Sequence, residues 1–519
     1  ISGSGVCLFY SLATSCNRPV HGWDAVRGYL QVTEQNDLYA FLPSHHEYSA
    51  LEYEELAIFR KDLLRLMSEK GEKGLKELIA KHRKETRIQP KQVLRLNSCI
   101  YGSPEAGHAF EMLIHGLHTK TCGCTQTQPE PSMFVKIVVN GNDEVVGYLI
   151  VIAWTDDIRF FGTDPEVEKY MKDVRSKITC TFEAGPVSEF VSIETHQDFE
   201  RHLTELKMPR YWIKALTNFE SFFPTGAKRR VVPLSVADEK VLMTKATDEE
   251  IAEAKGLPYQ ELLGVISYPA SNCKFEMRYA VSVAGSNRGG WSKHQFAIVL
   301  KMFEYGYSTR EMGLMYSKGL DPHGENILYG YADSSHAIPR SQGCRIVMMN
   351  GCAVIMKSQK HSLSAPSTCV DELIELYESS TDILGLRNTM AELGMYQQDA
   401  TKVYQDNKST IQIANHRGSL GPTSRAIDLK TLSVRNRIED HQIKTQYCPT
   451  TLMRADIGTK ALPEYPFCFH RDVINEYALA RAAYPDKVLP EYVNVGNSIG
   501  EIADLASLCT RLMMSPTVG

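Results

Sequence analysis

The sequence predicts a mixed α/β protein built from several domains. Its 519 residues exceed what one hydrophobic core usually supports. With 43% apolar and 23% charged residues, the composition is that of an ordinary globular chain. Strand-like and helical patterns alternate along the chain without internal repeats, as they do in mixed α/β folds.

In the N-terminal third, two strand patterns flank a pair of adjacent aspartates. Residues 144–153 and 158–163 are predicted as strands, and a helix is predicted over 164–178. Asp156 and Asp157 would lie at the tip between the strands. Two carboxylates held this close repel each other unless a cation lies between them, so the tip is a candidate metal site. Taken alone, the pair also fits an ordinary surface loop.

The second half of the chain predicts a hairpin, further strands and long helices. The middle region, 186–325, shows only short amphipathic segments and a helix around 292–307. The Asn350-Gly351 pair supplies the two positive-φ positions of a type I′ turn in a hairpin over 343–359. The other predicted elements are strands at 327–335, 402–407 and 443–448, and helices at about 370–393, 408–416 and 424–440, with one more opening within 452–462.

Composition limits the class of protein. No stretch approaches the roughly 18 uninterrupted apolar residues of a membrane helix. The start lacks an initiating Met and the basic region of a signal peptide, so we expect a soluble chain cut from something longer. Thirteen cysteines without a regular framework favour a reducing compartment. The net charge of -5 argues against nucleic-acid binding only if the charge is spread evenly.

Positive charge is concentrated in one segment. Between Arg60 and Arg95, twelve Lys or Arg residues stand against five Asp or Glu residues. Apolar residues recur at helical spacing from Leu56 to Met67, which predicts an amphipathic helix with a basic outer face. The segment is either a solvated helix or a phosphate-binding surface. The candidate nucleic-acid contacts are Lys73, Lys76, Lys81, Arg83, Lys84 and Arg87.

Ordered blocks give the sequence a family resemblance. "HGWDAVRGYLQ" (21–31), "LRLNSCIYGSPEAGHAFEMLIHGL" (94–117), "PSMFV" (131–135) and "YLIVIAWTDDIRFFG" (148–162) resemble the reverse transcriptase of copia-type LTR retrotransposons. "YQELLGVISYPA" (259–270) resembles a later block of that family. "YGYADSS" (329–335), "VDELIEL" (370–376), "YQDNKSTIQIA" (404–414) and "RADIGTKALP" (454–463) resemble its ribonuclease H blocks. The resemblance runs from about residue 5 to residue 465.

The resemblance implies a right-hand polymerase palm with a thumb/connection region, followed by a ribonuclease H-like domain. Residues 1–185 would form the palm with partial fingers, including a basic helical insertion at about 50–95. Residues 186–325 would form the thumb/connection and 326–465 the ribonuclease H-like domain, leaving 466–519 as a tail of unknown role. The rest of the fingers, with its triphosphate-gripping cations, would precede Ile1, so we expect feeble primer extension by this polypeptide alone.

The resemblance also implies two sets of catalytic acids that bind metal. In the polymerase they are Asp24, Asp156 and Asp157, and in the ribonuclease H they are Asp333, Glu372, Asp406 and Asp456. The strand and helix pattern agrees for the second set, because its members lie near the ends of separate predicted elements. Scattered surface acids are the alternative, and this alternative is strongest for Glu372, because its block "TCVDEL" departs from the family's "STEAEY".

Two further residues are implied to bind the nucleotide. Tyr29 matches the aromatic ring beneath the incoming sugar, where it would clash with a 2′-hydroxyl. Its alternative role is a core aromatic on a strand. Glu105 stands where the family has a Gln that contacts the nucleotide region.

The implied activity is RNA-directed DNA synthesis with ribonuclease H cleavage, using two Mg²⁺ per active site, with Mn²⁺ as a substitute. The implied partners are an RNA template, a DNA primer strand, an RNA–DNA hybrid, deoxynucleoside triphosphates and the rest of the Pol polyprotein, and no membrane. The location would be intracellular, in cytoplasmic virus-like particles, with nuclear passage as an option. The alternative is a retired or co-opted copy that acts as a noncatalytic nucleic-acid-binding or assembly subunit.

One cluster outside these blocks has zinc-capable ligand types. His115, His118, Cys122 and Cys124 lie within ten residues of one another. Their spacing matches no common structural zinc pattern, so core and loop positions are the favoured interpretation.

Overall fold

The computed structural model describes residues 2–26, 28–31, 39–41, 93–95, 106–337, 340–416 and 425–476. The chain divides into two compact units, one of residues 1–24 with 118–519 and one of residues 25–117. The predicted mixed α/β class is confirmed. The predicted division into four regions stays a prediction.

The strands are short and spread along the described part of the chain. In chain order they are β1 (His21–Ala25), β2 (Tyr39–Phe41), β3 (Val93–Arg95), β4 (Thr125–Gln126), β5 (Met133–Val139), β6 (Val145–Trp154), β7 (Asp157–Gly162), β8 (Cys180–Glu183), β9 (Glu189–Phe190), β10 (Ile193–Asp198), β11 (Leu203–Lys207), β12 (Leu314–Ser317), β13 (Tyr329–Ser335), β14 (Gln342–Met349), β15 (Cys352–Lys360), β16 (Thr401–Gln405) and β17 (Ile443–Tyr447).

The α-helices alternate with these strands. In chain order they are α1 (Gly3–Ser15), α2 (Ala106–Gly116), α3 (Asp164–Arg175), α4 (Pro209–Asn218), α5 (Val236–Met243), α6 (Asp248–Glu253), α7 (Tyr259–Asn272), α8 (Arg278–Gly285), α9 (Lys293–Ser308), α10 (Thr368–Glu392), α11 (Lys408–Asn415), α12 (Arg425–Glu439) and α13 (Glu464–Ile474). Short 3₁₀ helices cover Gly28–Gln31, Glu220–Phe222, Phe275–Met277, Thr450–Leu452 and Arg454–Gly458, and a π-helical turn covers Leu117–Thr121.

A six-stranded sheet carries the predicted aspartate pair. Its strand order is β4-β5-β6-β7-β1-β8. Successive side chains on a strand point to opposite faces, so Phe160 and Phe161 of β7 pack in opposite directions. Phe160 meets Tyr170 of α3 at a ring-centroid distance of 4.7 Å, and Phe161 meets Phe9 of α1 at 5.0 Å. Both faces of the sheet are therefore covered, which explains the apolar runs on either side of the aspartates.

A four-stranded sheet and several helices follow. The strand order is β12-β11-β10-β9, and helices α4 to α9 lie between β11 and β12 in the chain. The predicted helix around 292–307 is present as α9, and Ser292 and Gln295 form a capping box at its start. Between β9 and β10, Val191 and Ser192 both have positive φ, at 46° and 64°. That turn is therefore an unusual backbone conformation for two residues that are not glycine.

A five-stranded sheet forms most of the C-terminal part. Its strand order is β15-β14-β13-β16-β17, in which β13 pairs with β14 antiparallel and with β16 parallel. Helix α10 packs on β13 and β14. Asn350 and Gly351 join β14 to β15 with φ of 51° and 81°, which matches the predicted type I′ geometry. Because β13 and β16 are parallel, the chain leaves both strands at the same edge of the sheet.

The helix predicted to open within 452–462 is wrong. Residues 450–458 instead form two short 3₁₀ helices, and the next α-helix begins at Glu464. Packing explains the difference, because a Cβ on Gly458 would lie 2.2 Å from the Cys344 sulfur. The Gly458 carbonyl also accepts a hydrogen bond from the Ser358 hydroxyl at 2.6 Å. These contacts with distant strands fix a shape that local sequence does not specify.

The unit of residues 25–117 is described only in part. Strands β2 and β3 pair antiparallel, with Tyr39 opposite Arg95. Phe110 of α2 is buried and lies against Gly28, where an added Cβ would meet its ring at 2.9 Å. The predicted basic insertion at about 50–95 lies outside the described residues except for β3, which is a strand. Across the described ranges, no helix is long and apolar enough to cross a membrane.

Candidate active sites

Three acidic side chains meet at one edge of the five-stranded sheet. Asp333 lies near the end of β13, Asp406 directly follows the parallel neighbour β16, and Glu372 lies near the start of α10. One carboxylate oxygen from each lies within 4.8 Å of the others. No other three His, Cys, Asp or Glu side chains among the described residues meet this closely. We call this group the acidic triad.

The triad carries more negative charge than its surroundings compensate. Glu372 is 3% exposed, and burial followed by the charges of Asp333 and Asp406 raises its pKa to about 11. Burial and the nearby Asp333 also raise the pKa of Asp406, although the Thr450 hydroxyl donates a hydrogen bond to it. The Glu372 Oε2 atom is buried and has no hydrogen-bond partner among the described residues. Hard oxygen ligands with an uncompensated charge fit Mg²⁺ or Mn²⁺.

A buried polar network fixes the helix that carries Glu372. His361 Nε2 lies 2.8 Å from Glu375 Oε2, and Arg345 donates to the other oxygen of Glu375 at 3.0 Å. His361 Nδ1 lies 3.3 Å from Asp371 Oδ1. Burial alone would lower the pKa of His361, but hydrogen bonds with Asp371 and Glu375 raise it to about 9. The start of α10 is therefore held by charged hydrogen bonds directly beside Glu372.

The fourth predicted acid of this set, Asp456, lies beside the triad. Burial followed by the charge of Asp333 raises the pKa of Asp456 to about 7. Lys460 Nζ lies 2.8 Å from Asp456 Oδ1 and compensates part of its charge. Thr459 donates from Oγ1 to Asp333 Oδ2 at 2.8 Å. All four predicted acids of this set therefore lie in one neighbourhood, with three of them in the triad.

The other predicted acids lie at the open end of the six-stranded sheet. Asp24 of β1 is the register partner of Asp157 at the start of β7. Asp156 lies in the two-residue turn from β6 to β7, where the preceding Thr155 has a φ of 52°. The predicted hairpin is present, although Asp157 belongs to the strand. Asp24, Asp156 and Asp157 are neighbours but do not meet the 4.8 Å spacing of the triad.

Asp157 is paired with a cation from its own strand. Arg159 Nη1 lies 2.5 Å from Asp157 Oδ1, and the Arg159 side chain is 10% exposed. Arg159 also donates from Nη2 and Nε to the Glu189 carbonyl oxygen at 2.5 and 3.2 Å. Burial raises the pKa of Asp157, whereas Arg159 and the Val191 amide counteract that shift. The negative charge of Asp157 is thus neutralised by Arg159, whereas Glu372 of the acidic triad has an oxygen without a hydrogen-bond partner among the described residues.

Comparison with known proteins agrees with the sequence blocks, although no family model matches the chain. It is 23% identical over 393 residues to the retrovirus-related Pol polyprotein from transposon TNT 1-94 of Nicotiana tabacum. That match covers 74% of this chain and 28% of the relative. It is also 23% identical over 390 residues to the transposon Ty1-H Gag-Pol polyprotein of Saccharomyces cerevisiae, covering 72% of this chain and 21% of the relative. Its homologues are the Pol polyproteins of Ty1/copia-type transposons.

The chain therefore spans between a fifth and three tenths of the length of these Pol relatives. Solved structures similar to it include a foamy viral protease-reverse transcriptase in complex with RNA/DNA hybrid, with 11% identity and a TM-score of 0.39 over 83% of this chain and 44% of the other. Another is LC11-RNase H1 in complex with RNA/DNA hybrid, with 11% identity and a TM-score of 0.20 over 25% of this chain and 92% of the other. The family resemblance predicted from the sequence blocks is confirmed by the Pol relatives.

Several other predicted residues can be located only in part. Tyr29 belongs to the 3₁₀ helix Gly28–Gln31, so its backbone is not part of a strand. Glu105 and the six cations from Lys73 to Arg87 lie outside the described residues. Their roles in binding nucleotide and nucleic acid stay predictions.

In the zinc-capable cluster of the Pol-like chain, three of the four residues are buried, namely His118, Cys122 and Cys124, whereas His115 is half-buried. His118 is fully buried, and its Nε2 atom lies 2.8 Å from the Tyr170 hydroxyl. Burial raises the pKa of Cys122 and Cys124 to about 12, so both thiols stay neutral in the metal-free chain. Within the described ranges these side chains join no group able to hold a metal. These contacts fit core positions for His118, Cys122 and Cys124, and the interpretation of the whole cluster as core and loop positions stays a prediction.

The sequence patterns did not predict that Arg159, Thr459 and Lys460 contact the predicted acids. Arg159 follows Asp157 by two positions, which places both on the same face of a strand, so the pairing could have been anticipated. Thr459 and Lys460 lie inside the quoted block "RADIGTKALP", which the Pol resemblance had already marked. Their hydrogen bonds to Asp333 and Asp456 depend on the 3₁₀ geometry of that segment, which the sequence did not predict.

Proposed function

We propose that this chain is the reverse transcriptase and ribonuclease H region of a copia-type Pol polyprotein. The single observation that supports this most strongly is the acidic triad, because its carboxylates come from three separate elements and the buried Glu372 Oε2 atom has no hydrogen-bond partner among the described residues. The relatives named above are the second support. The reaction class is phosphoryl transfer, with hydrolysis of RNA in a hybrid and nucleotidyl addition to a primer.

At the ribonuclease H centre, Asp333, Glu372 and Asp406 would hold the metal, and Asp456 would complete the site from its edge. Bound Mg²⁺ or Mn²⁺ would supply an activated water and charge stabilisation of the leaving oxygen. Thr459 orients the Asp333 carboxylate through its hydrogen bond. Lys460 holds Asp456 and adds positive charge where a scissile phosphate would approach.

At the polymerase centre, Asp24, Asp156 and Asp157 would hold two further Mg²⁺. Tyr29 and Glu105 would contact the incoming deoxynucleoside triphosphate, and the basic segment from Lys73 to Arg87 would contact the nucleic-acid backbone. The substrates would be an RNA template and a DNA primer strand. The four regions of the chain would be a palm with partial fingers, a thumb/connection, a ribonuclease H-like domain and a tail. The setting would be virus-like particles in the cytoplasm, alongside the rest of the Pol polyprotein.

Hydrolysis of a labelled RNA–DNA hybrid tests this function. In Mg²⁺ the full chain should shorten the RNA strand and leave the DNA strand intact. Asp333→Asn should reduce the rate at least a hundredfold, because it removes charge from a shared metal ligand. Asp399→Asn, an exposed acid in the same part of the chain, is the matched control and should cleave normally. Intact RNA with the wild type in both Mg²⁺ and Mn²⁺ would refute the nuclease assignment.

A second candidate function, binding of nucleic acid without catalysis, concerns only the proposed polymerase centre at Asp24, Asp156 and Asp157. The Arg159–Asp157 pair favours a retired centre that binds nucleic acid without extending a primer. Primer extension by the chain on a primer–template distinguishes the two. Extension that disappears in Asp156→Asn supports an active polymerase, whereas binding of primer–template without extension supports the retired copy.

A further inference from the structure

A cavity of about 830 Å³ lies between the helices of the middle region and the segment that follows Asp456. Basic side chains predominate among its charged residues, which include Lys245, Arg340, Lys360 and Lys460. Glu239 of α5 is the one acidic side chain among the lining residues that the structure describes. Glu239 is therefore an acid on a mostly basic cavity wall, and its hydrogen-bond partners explain why it lies there.

Glu239 joins three parts of the chain through one oxygen. Its Oε1 atom accepts a hydrogen bond from the backbone N–H of Ala461 at 2.9 Å and another from the Tyr279 hydroxyl. Tyr279 lies on α8 and is 4% exposed. The carboxylate thus ties α5 and α8 to the segment of residues 458–461, which we call the acid-proximal segment.

The acid-proximal segment touches the nuclease acids directly. Thr459 donates to Asp333 Oδ2 at 2.8 Å, and Lys460 pairs with Asp456. Lys460 is long and its side chain is 46% exposed, so it could keep its contact if the segment shifted. Thr459 is short and 2% exposed, so a shift of its backbone would break its bond to Asp333. Any displacement of the segment therefore reaches the triad through Thr459.

We propose that Glu239 is a positioning residue for the nuclease centre, which acts from the middle region by holding the segment that orients Asp333. The inference rests on the proposed function, and what it predicts is the affinity of the acidic triad for a divalent cation. A hydrogen bond to a metal-binding carboxylate typically changes metal affinity tenfold or more when it is removed. Glu239 acts one step further away, so its effect is smaller.

Calorimetric titration of the full-length chain with Mg²⁺ tests this. Thr459→Val should weaken Mg²⁺ binding at least tenfold, and Glu239→Ala should weaken it about three- to tenfold. Glu239→Gln keeps an acceptor oxygen and should stay within about twofold of the wild type. The matched control is Ser282→Ala, which removes the hydrogen bond between Ser282 and Gln342 that also joins α8 to the sheet but does not touch the acid-proximal segment. Glu239→Met replaces the alanine variant if that variant does not fold.

Each outcome decides the inference. The inference is supported if Glu239→Ala binds Mg²⁺ more weakly than the wild type while Glu239→Gln and Ser282→Ala keep an affinity close to that of the wild type. Equal affinities in wild type and Glu239→Ala, or equal losses in Glu239→Ala and Ser282→Ala, overturn it. Hybrid cleavage is measured separately on the same proteins. A wild type that binds Mg²⁺ through Asp333 but cuts no RNA would refute the proposed function while the affinity comparison still tests Glu239.

Discussion

At the scale of single residues, Glu372 is a buried carboxyl that lies close to two other acids. Burial and two neighbouring acids raise its pKa to about 11, while the same group in the unfolded chain titrates in its usual range near 4. Between those values the folded chain binds a proton that the unfolded chain has released. The free energy of unfolding of the metal-free protein therefore falls as pH rises from about 4.5 toward 11.

Glu372→Gln should remove this penalty. In EDTA at pH 8 we expect the variant to be more stable than the wild type by about 1 to 3 kcal/mol, with little difference at pH 4. In millimolar Mg²⁺ the order should reverse, because the variant lacks a proposed metal ligand. Urea unfolding at several pH values, with and without Mg²⁺, measures both. A variant less stable than the wild type in EDTA at pH 8 would show that Glu372 is not destabilising without metal.

In contrast to Glu372, the half-buried Asp157 carboxylate is stabilised by an ion pair with Arg159. The pair is held at 2.5 Å, and Arg159 is additionally bonded to the Glu189 carbonyl oxygen. Removing one member of a mostly buried ion pair leaves the other uncompensated.

Arg159→Met should therefore destabilise the chain by about 2 to 4 kcal/mol, and adding Asp157→Asn should recover part of that loss. A double-mutant cycle by urea unfolding gives the coupling energy, with Asp157→Asn alone completing the cycle. Additive losses, with no recovery in the double variant, would mean that the two side chains do not stabilise each other.

At the scale of elements, the turn between β9 and β10 has backbone φ angles that are unfavourable for its two residues. Val191 and Ser192 both have positive φ, which costs roughly 1 to 2 kcal/mol per residue for side chains other than glycine. The Val191 N–H lies 3.4 Å from Asp157 Oδ2, and the Tyr268 hydroxyl donates to the Val191 carbonyl oxygen at 2.6 Å. The hairpin is thereby tied to the aspartate pair of the neighbouring sheet.

Ser192→Gly should raise stability by about 0.5 to 1 kcal/mol, because glycine adopts this φ without strain. Ser188→Gly, just before β9 and without a positive φ, is the control and should lower stability by a similar amount. Thermal unfolding of both variants measures the difference. A loss of stability in Ser192→Gly equal to that in Ser188→Gly would show that the turn is unstrained.

Local features were predictable from sequence and distant contacts were not. The Asn350-Gly351 turn follows from residues that tolerate positive φ, and β6, β7, α3 and α10 follow from periodic apolar patterns. The triad acids were marked by family blocks, and the structure brings three of them together. The Gly458–Cys344 packing and the Glu239–Ala461 bond join residues more than a hundred positions apart, so no local pattern encodes them.

At the scale of the whole molecule, acidic groups occur on two sheets and are compensated differently. The six-stranded sheet supplies Arg159 to one of its three acids. Beside the five-stranded sheet, the Glu372 Oε2 atom has no hydrogen-bond partner among the described residues, and Lys460 pairs with Asp456 while also counteracting the rise in the pKa of Asp406. We therefore expect the triad to bind a divalent cation more tightly than Asp24, Asp156 and Asp157 do when nucleic acid is absent.

Anomalous diffraction from crystals of the chain with bound Mn²⁺ shows directly whether the acidic triad binds a divalent cation. We expect an anomalous peak between the carboxylates of Asp333, Glu372 and Asp406 at about 2 to 2.4 Å from their oxygens, at a lower Mn²⁺ concentration than any peak beside Asp24 or Asp156. The peak at the triad should vanish in Glu372→Gln. Mn²⁺ that binds elsewhere while these three carboxylates stay without a peak at saturating concentration would contradict the account.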